Sequence, residues 1–140
     1  MGTLVPVTGN INSQKYIDVL ETNLWPVVAK TFPNQPWIFL DDNATPHTSQ
    51  ATRQWKIDNQ IPTMTWPAQS PDINIIENVW RALKVQVNKR AHTIKTQQKL
   101  IDTVLEIWTS FPRAYIRSLY HSIPTRLRQV VRVNGCITKY

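Results

Sequence analysis

The chain has 140 residues, 41% of them hydrophobic and six of them tryptophan, which is enough for one packed domain and too apolar for a disordered tail. A single cysteine, Cys136, excludes an internal disulfide and a cysteine-based zinc site, and no apolar run nears the roughly 18 residues of a membrane span. The net charge of +7 is uneven, −3 over residues 1–80 and +10 over residues 81–140, so an acidic centre beside a basic surface is expected.

In chain order, Thr3 to Val7 reads as a short strand, interrupted by Pro6 and ended by Gly9-Asn10. Ser13 then reads as the N-cap of a helix reaching about Thr31, with Tyr16, Val19-Leu20, Leu24 and Val27-Val28 at helical spacing. Pro33 and Pro36 close that segment, and Trp37 to Leu40 follow as a continuous apolar run, the pattern of a strand buried on both faces. Thr45-Pro46 opens a second helix ending near Asn59, with the proline at a tolerated first-turn position. Ile61 to Trp66 is a further short strand, which Pro62 confines to an edge or marks at its start. Pro67 and Pro71 bracket a loop before a long helix from about Ile73 to Arg90. Leu100, Ile101, Val104, Leu105 and Trp108 form an amphipathic stripe; Ser110-Phe111-Pro112 and Ser122-Ile123-Pro124 each start another helix, and Asn134-Gly135 supplies a stop. Strands alternating with helices argue for an α/β fold with helices added after the sheet.

Two carboxylates stand out, Asp42 at the end of the apolar run and Glu77 near the start of the long helix, with 34 residues between them. Side chains alternate along a strand, so Ile38, Leu40 and Asp42 share one face and Asp41 takes the other. An acid at the carboxyl end of a buried strand lies where open α/β sheets place their sites, although an Asp-Asp pair there also serves as a turn or helix cap. Glu77 admits three readings: a ligand carboxylate, the return arm of a capping box with Asn74, or an ion pair with Arg81 four residues on. Arg81 and Lys84 extend the Glu77 face by one and two turns, as a metal site beside a phosphate backbone would require. Phosphodiester chemistry uses Mg²⁺ or Mn²⁺, hard cations that take oxygen ligands, and a pair of them is best held by at least three acids. No third acid is evident, since Asp18 and Glu21 fall on the first helix. His47 either orients an acid or meets a phosphate, or it packs at a helix start; Trp66, Trp80 and Trp108 read as core rather than as base-stacking platforms.

The run Asp42-Asn43-Ala44-Thr45-Pro46-His47-Thr48-Ser49 resembles the aspartate motif of mariner-superfamily transposases. Trp66 to Trp80, through Ser70-Pro71-Asp72-Ile73-Asn74-Ile75-Ile76-Glu77-Asn78, resembles their glutamate motif, and the interval of 34 residues is that of the nematode Tc-type branch. The closing Asn134-Gly135-Cys136-Ile137-Thr138-Lys139-Tyr140 is also similar to that branch, and the resemblance covers nearly the whole chain. Two departures are Ile75, where the family has proline, and Pro46, displaced by one residue with His47 left in register.

The resemblance implies a partial ribonuclease-H-like (DDE integrase/transposase) α/β fold with additional C-terminal helices. It implies one truncated domain over residues 1–140, with a sheet core at 1–92 and a basic helical extension at 93–140. It further implies metal-dependent DNA cleavage and strand transfer by a cut-and-paste transposase, with Asp42 and Glu77 as catalytic and metal-binding acids for Mg²⁺ (or Mn²⁺), and Asn43, His47 and Asn78 in support. Arg81, Lys84, Lys89, Arg90, Arg126, Arg128 and Arg132 would bind DNA, both transposon ends and target, and a homodimer and a nuclear location are further expectations; the N-terminus lacks a signal peptide's basic and apolar regions. The family's first Asp and N-terminal DNA-binding region have no counterpart here, so weak or absent activity is expected, with Trp37–Leu40 left as an exposed apolar edge. The alternative is a non-catalytic DNA-binding or assembly module derived from a transposase.

Overall fold

A computed structural model describes residues 2–67, 70–136 and 138. The chain forms two compact units, Met1–Gln69 and Ser70–Tyr140, each with its own helices and core. No helix among the described residues is long and apolar enough to cross a membrane.

The first unit contains α1 (Ser13–Thr31), α2 (Thr45–Thr48) and α3 (Gln50–Asp58). Helix α1 has the expected span, but its cap is Asn12, whose side chain accepts the Lys15 N–H at 2.9 Å, rather than Ser13. The helix expected from Thr45 to Asn59 is interrupted at Ser49, whose extended backbone ends α2 while its hydroxyl accepts the Thr52 N–H and caps α3. Thr52 is fully buried and ties the two short helices together by donating to the Pro46 carbonyl at 2.6 Å. Ile17 and Leu20 of α1 and Ile61 beyond α3 are buried, and Trp55 Nε1 donates to Glu21 at 2.8 Å, linking α3 to α1.

The expected sheet is not formed among the described residues. Thr3–Val7 carries no strand, and Trp37–Leu40 and Ile61–Trp66 share only one parallel bridge, Phe39 with Thr63. Phe39 donates to the Pro62 carbonyl at 2.7 Å and accepts from the Met64 N–H at 2.9 Å. A strand is defined by its ladder, and apolar character alone supplies no second partner. Instead of being buried on both faces, the run leaves Ile38 62% exposed and Leu40 39% exposed. The apolar edge expected there is therefore present.

The second unit contains α4 (Ile76–Lys89), a 3₁₀ turn at Ala91–Thr93, α5 (Gln97–Ser110) and α6 (Arg113–Arg132). Val79 and Leu83 of α4 and Thr103 and Ile107 of α5 are buried where these helices pack, and Trp80 stacks on Trp108 with ring centroids 5.5 Å apart. Those two tryptophans serve the core, as their place on the helical stripes indicated. Helix α4 starts at Ile76 rather than Ile73, after turns at residues 71–73 and 75, with the Asn74 side chain accepting the Ile76 N–H at 3.3 Å.

The break expected at Ser122-Ile123-Pro124 does not occur, and α6 runs through Pro124. An internal proline removes one helical bond at about 3 kcal/mol. Bonds on both sides of it hold the helix: Tyr115 donates to the Asn78 carbonyl at 3.1 Å, and Arg126 donates to the Asp72 carbonyl at 2.8 Å. Asn134 and Gly135 adopt positive φ after α6, as a helix stop requires. Ala68 and Gln69 of the glutamate motif, and Ile137, Lys139 and Tyr140 of the closing motif, lie outside the described residues.

Candidate functional site

The adjacent acids Asp41 and Asp42 separate as strand alternation predicts. Asp41 turns inward, its side chain 13% exposed, to accept Lys56 Nζ of α3 at 2.5 Å and the Tyr16 hydroxyl of α1 at 3.0 Å. Asp42 turns outward, with its side chain 58% exposed. Its Oδ1 accepts the Ala44 N–H at 3.0 Å, an Asx turn that fixes the carboxylate at the entrance to α2.

His47 stands behind Asp42. Its Nδ1 lies 2.7 Å from Asp42 Oδ1, an ion-pair separation, although the ring N–H is out of line for a hydrogen bond and that buried nitrogen has no aligned partner. The imidazole stacks on the Tyr16 ring, with centroids 4.0 Å apart. His47 is therefore packed on Tyr16 and lies beside Asp42 without a hydrogen bond from Nδ1 to it. Burial, then the Asp41 carboxylate, push the Tyr16 phenol far above its ordinary range and keep it a hydrogen-bond donor. Tyr16 and Lys56 were missed in the sequence because their partner lies 25 and 15 residues away.

Asn43 Nδ2 donates to the Trp66 carbonyl at 2.9 Å, tying the aspartate motif to the start of the glutamate motif. A cavity of about 590 Å³ lies beside it, lined among others by Asp41, Asn43, His47, Arg53, Lys56 and Trp66. Asp42 does not line it and faces the open surface.

In the second unit Glu77 lies on the exposed face of α4. No side-chain hydrogen bond or ion pair of Glu77 occurs among the described residues, so neither the capping box nor the Arg81 pair is formed. Glu77 shares a recess of about 330 Å³ with Pro71, Asn78, Trp80, Arg81 and Lys84. The other acid of the motif, Asp72, is buried and accepts the Ile73 and Thr138 N–H groups.

Of the expected DNA-binding residues, Arg81, Lys84, Lys89, Arg128 and Arg132 are exposed, while Arg90 pairs with Glu106 at 2.8 Å. Arg126 requires correction. It is 2% exposed and donates to the Ser122 hydroxyl, the Asp72 carbonyl and the Asn78 Oδ1. That guanidinium pins α6 to the turn before α4 and is withdrawn from any phosphate. Asn78, expected in support of Glu77, is correspondingly engaged with Arg126 and Tyr115. Its spacing gave the signal: residue 126 follows Ser122 by four and Ile123 by three, on the apolar side of the helix.

Comparison with known proteins adds three findings. Residues 3–101 match the DDE superfamily endonuclease family. The chain is 31% identical to the transposable element Tcb1 transposase of Caenorhabditis briggsae, over all of this chain and 50% of that protein. It is 35% identical to the transposable element Tc3 transposase of Caenorhabditis elegans, over 92% of this chain and 39% of that protein. The chain thus spans half or less of the length of these relatives. In three dimensions it resembles the catalytic domain of Mos1 mariner transposase, with TM-score 0.77 and 19% identity over 98% of this chain and 69% of that one. The Mos1 catalytic domain solved with Raltegravir and Mg gives TM-score 0.75 at 20% identity, over 94% of this chain and 67% of that one. At such identity the likeness establishes a shared fold.

Proposed function

We propose, for a chain that belongs to the DDE superfamily endonucleases, that it derives from the cleavage and strand-transfer domain of a cut-and-paste DNA transposase. One observation carries the reading. In each motif the acid that the resemblance names as catalytic is the exposed one, Asp42 and Glu77, while its neighbours Asp41 and Asp72 are turned inward and bonded.

The donor chemistry fits a hard divalent cation, because both exposed carboxylates offer oxygen ligands to solvent. Asp42 and Glu77 would hold Mg²⁺ or Mn²⁺, which when bound supplies Lewis acidity to phosphodiester oxygens. The Ala44 N–H holds the Asp42 carboxylate in one orientation, and His47, fixed by Tyr16, limits its swing. Arg81 and Lys84, which line a recess with Glu77, would meet the phosphates of a DNA strand. Among the described residues no group of three His, Cys, Asp or Glu side chains is assembled; weak cleavage by this chain alone is part of the proposal, because the resemblance supplies only two of the family's three acids. The ribonuclease-H-like sheet belongs to the same proposal, as do a homodimer and a nuclear location.

A metal-dependent strand-cleavage assay on transposon-end DNA tests the reading. Low activity that needs Mg²⁺ or Mn²⁺ and is abolished by Asp42→Asn or Glu77→Gln is expected; activity unchanged in either variant would refute it. The alternative, a DNA-binding or assembly module without catalysis, is favoured by the exposed cations of the second unit, and it predicts DNA affinity with no cleavage at all.

A further inference from the structure

Helix α6 has twenty residues, Arg113–Arg132, and not one Asp or Glu among them. At 3.6 residues per turn, Arg113, Arg117, His121, Arg128 and Arg132 fall within an arc of about 100°. All five are exposed. Buried Arg126 lies about 170° from the middle of that arc. Its bonds to Ser122, Asp72 and Asn78 therefore fix the rotation of the helix and hold the other arginines outward. Among the described residues none of the four exposed arginines is in an ion pair.

We propose that this arginine stripe is a sequence-independent clamp on the backbone of a DNA duplex, separate from the cations beside Glu77. Within each pair, Arg113 with Arg117 and Arg128 with Arg132, the residues rise about 6 Å along the axis, and the whole stripe spans about 28 Å. One turn of duplex is about 34 Å, so a single helix can meet phosphates at both ends within that turn. All four cations are arginines, whose planar fork takes two phosphate oxygens at once where a lysine offers a point charge. The main competitor is an anionic membrane surface, because Tyr120 and Leu127 are exposed beside the stripe and Val131 at its edge. That flank is narrow and lacks the Trp and Phe residues of interfacial helices, so the charge pattern favours DNA. The inference rests on the transposase reading only for the choice of DNA among polyanions.

Fluorescence anisotropy with two unrelated duplexes, in EDTA and over a series of salt concentrations, tests it without any catalytic step. Each phosphate contact contributes about 0.9 to the slope of log affinity against log salt. Replacing Arg113, Arg117, Arg128 and Arg132 by Gln should flatten the slope by about 3.6, equally on both duplexes. The half-variants Arg113→Gln/Arg117→Gln and Arg128→Gln/Arg132→Gln, checked for helix content by circular dichroism, should each flatten it by about 1.8. The control Lys30→Gln/Lys95→Gln, two exposed cations off α6, should change it less than either half-variant. An unchanged slope in the half-variants, or an equal change in the control, would overturn the clamp. So would binding to vesicles of phosphatidylcholine and phosphatidylserine that outcompetes DNA and is lost in the same variants. Failure of Asp42→Asn to affect cleavage would count against the catalytic reading and leave this result untouched.

Discussion

Two neighbouring carboxylates, Asp41 and Asp42, show how a single backbone step sorts acids into different tasks. Asp41 is neutralised by Lys56, and both side chains are nearly enclosed, so removing one partner strands the other charge. Lys56→Met should destabilise the fold by about 3–5 kcal/mol in urea denaturation, whereas Asp42→Asn, at an exposed carboxylate, should change stability far less. Tyr16 adds a pH dependence whose sign is fixed by the raised phenol. The unfolded chain ionises this tyrosine near its ordinary value of about 10 and the folded one does not, so stability present below that pH is lost as pH rises beyond it. Alkaline unfolding followed by circular dichroism should show that loss, and Tyr16→Phe should remove this part of it. The opposed directions of Asp41 and Asp42 were legible from period-two alternation, and Asp42 and Glu77 from their motifs. The Tyr16 and Lys56 contacts were not, since long-range pairing leaves no local periodicity.

Helices were legible because each carries its own hydrogen bonds and its own apolar period. Strands were not, because a strand exists only through a partner, and Phe39 with Thr63 is the one bridge among the described residues. Trp37–Leu40 therefore keeps the apolar composition of a core strand on an exposed edge, an invitation to pairing with other chains. Ile38→Lys should lower concentration-dependent association measured by light scattering while leaving the helical signal unchanged. Helix α6 teaches a different lesson. Its Pro124 suggested a break and its Arg126, Arg128 and Arg132 a DNA-binding cluster, yet Arg126 turns inward and bridges the helix across Pro124. Arg126→Met should cost about 3 kcal/mol, because the Asn78 and Asp72 oxygens lose their donor. A stability change near zero would show that the guanidinium does not anchor the helix.

For the whole molecule, the charge imbalance read from the sequence has a local meaning in each unit. The first unit presents an exposed acid, Asp42, beside an inward, bonded one; the second presents Glu77 with two cations and, on α6, the arginine stripe. Affinity for DNA and chemistry on DNA should accordingly separate. Asp42→Asn and Glu77→Gln should keep or raise duplex affinity in an anisotropy titration, since each removes a negative charge near the phosphates. The resemblance of the two motifs singles out the acids, and the proposed metal binding is a physical claim about Asp42 and Glu77 themselves. Calorimetric titration of Mn²⁺ into the native chain and the two single variants tests it most directly. The account predicts a divalent site weakened at least about tenfold, or 1.4 kcal/mol, by Asp42→Asn and by Glu77→Gln alike. Equal Mn²⁺ affinity in all three proteins would contradict it.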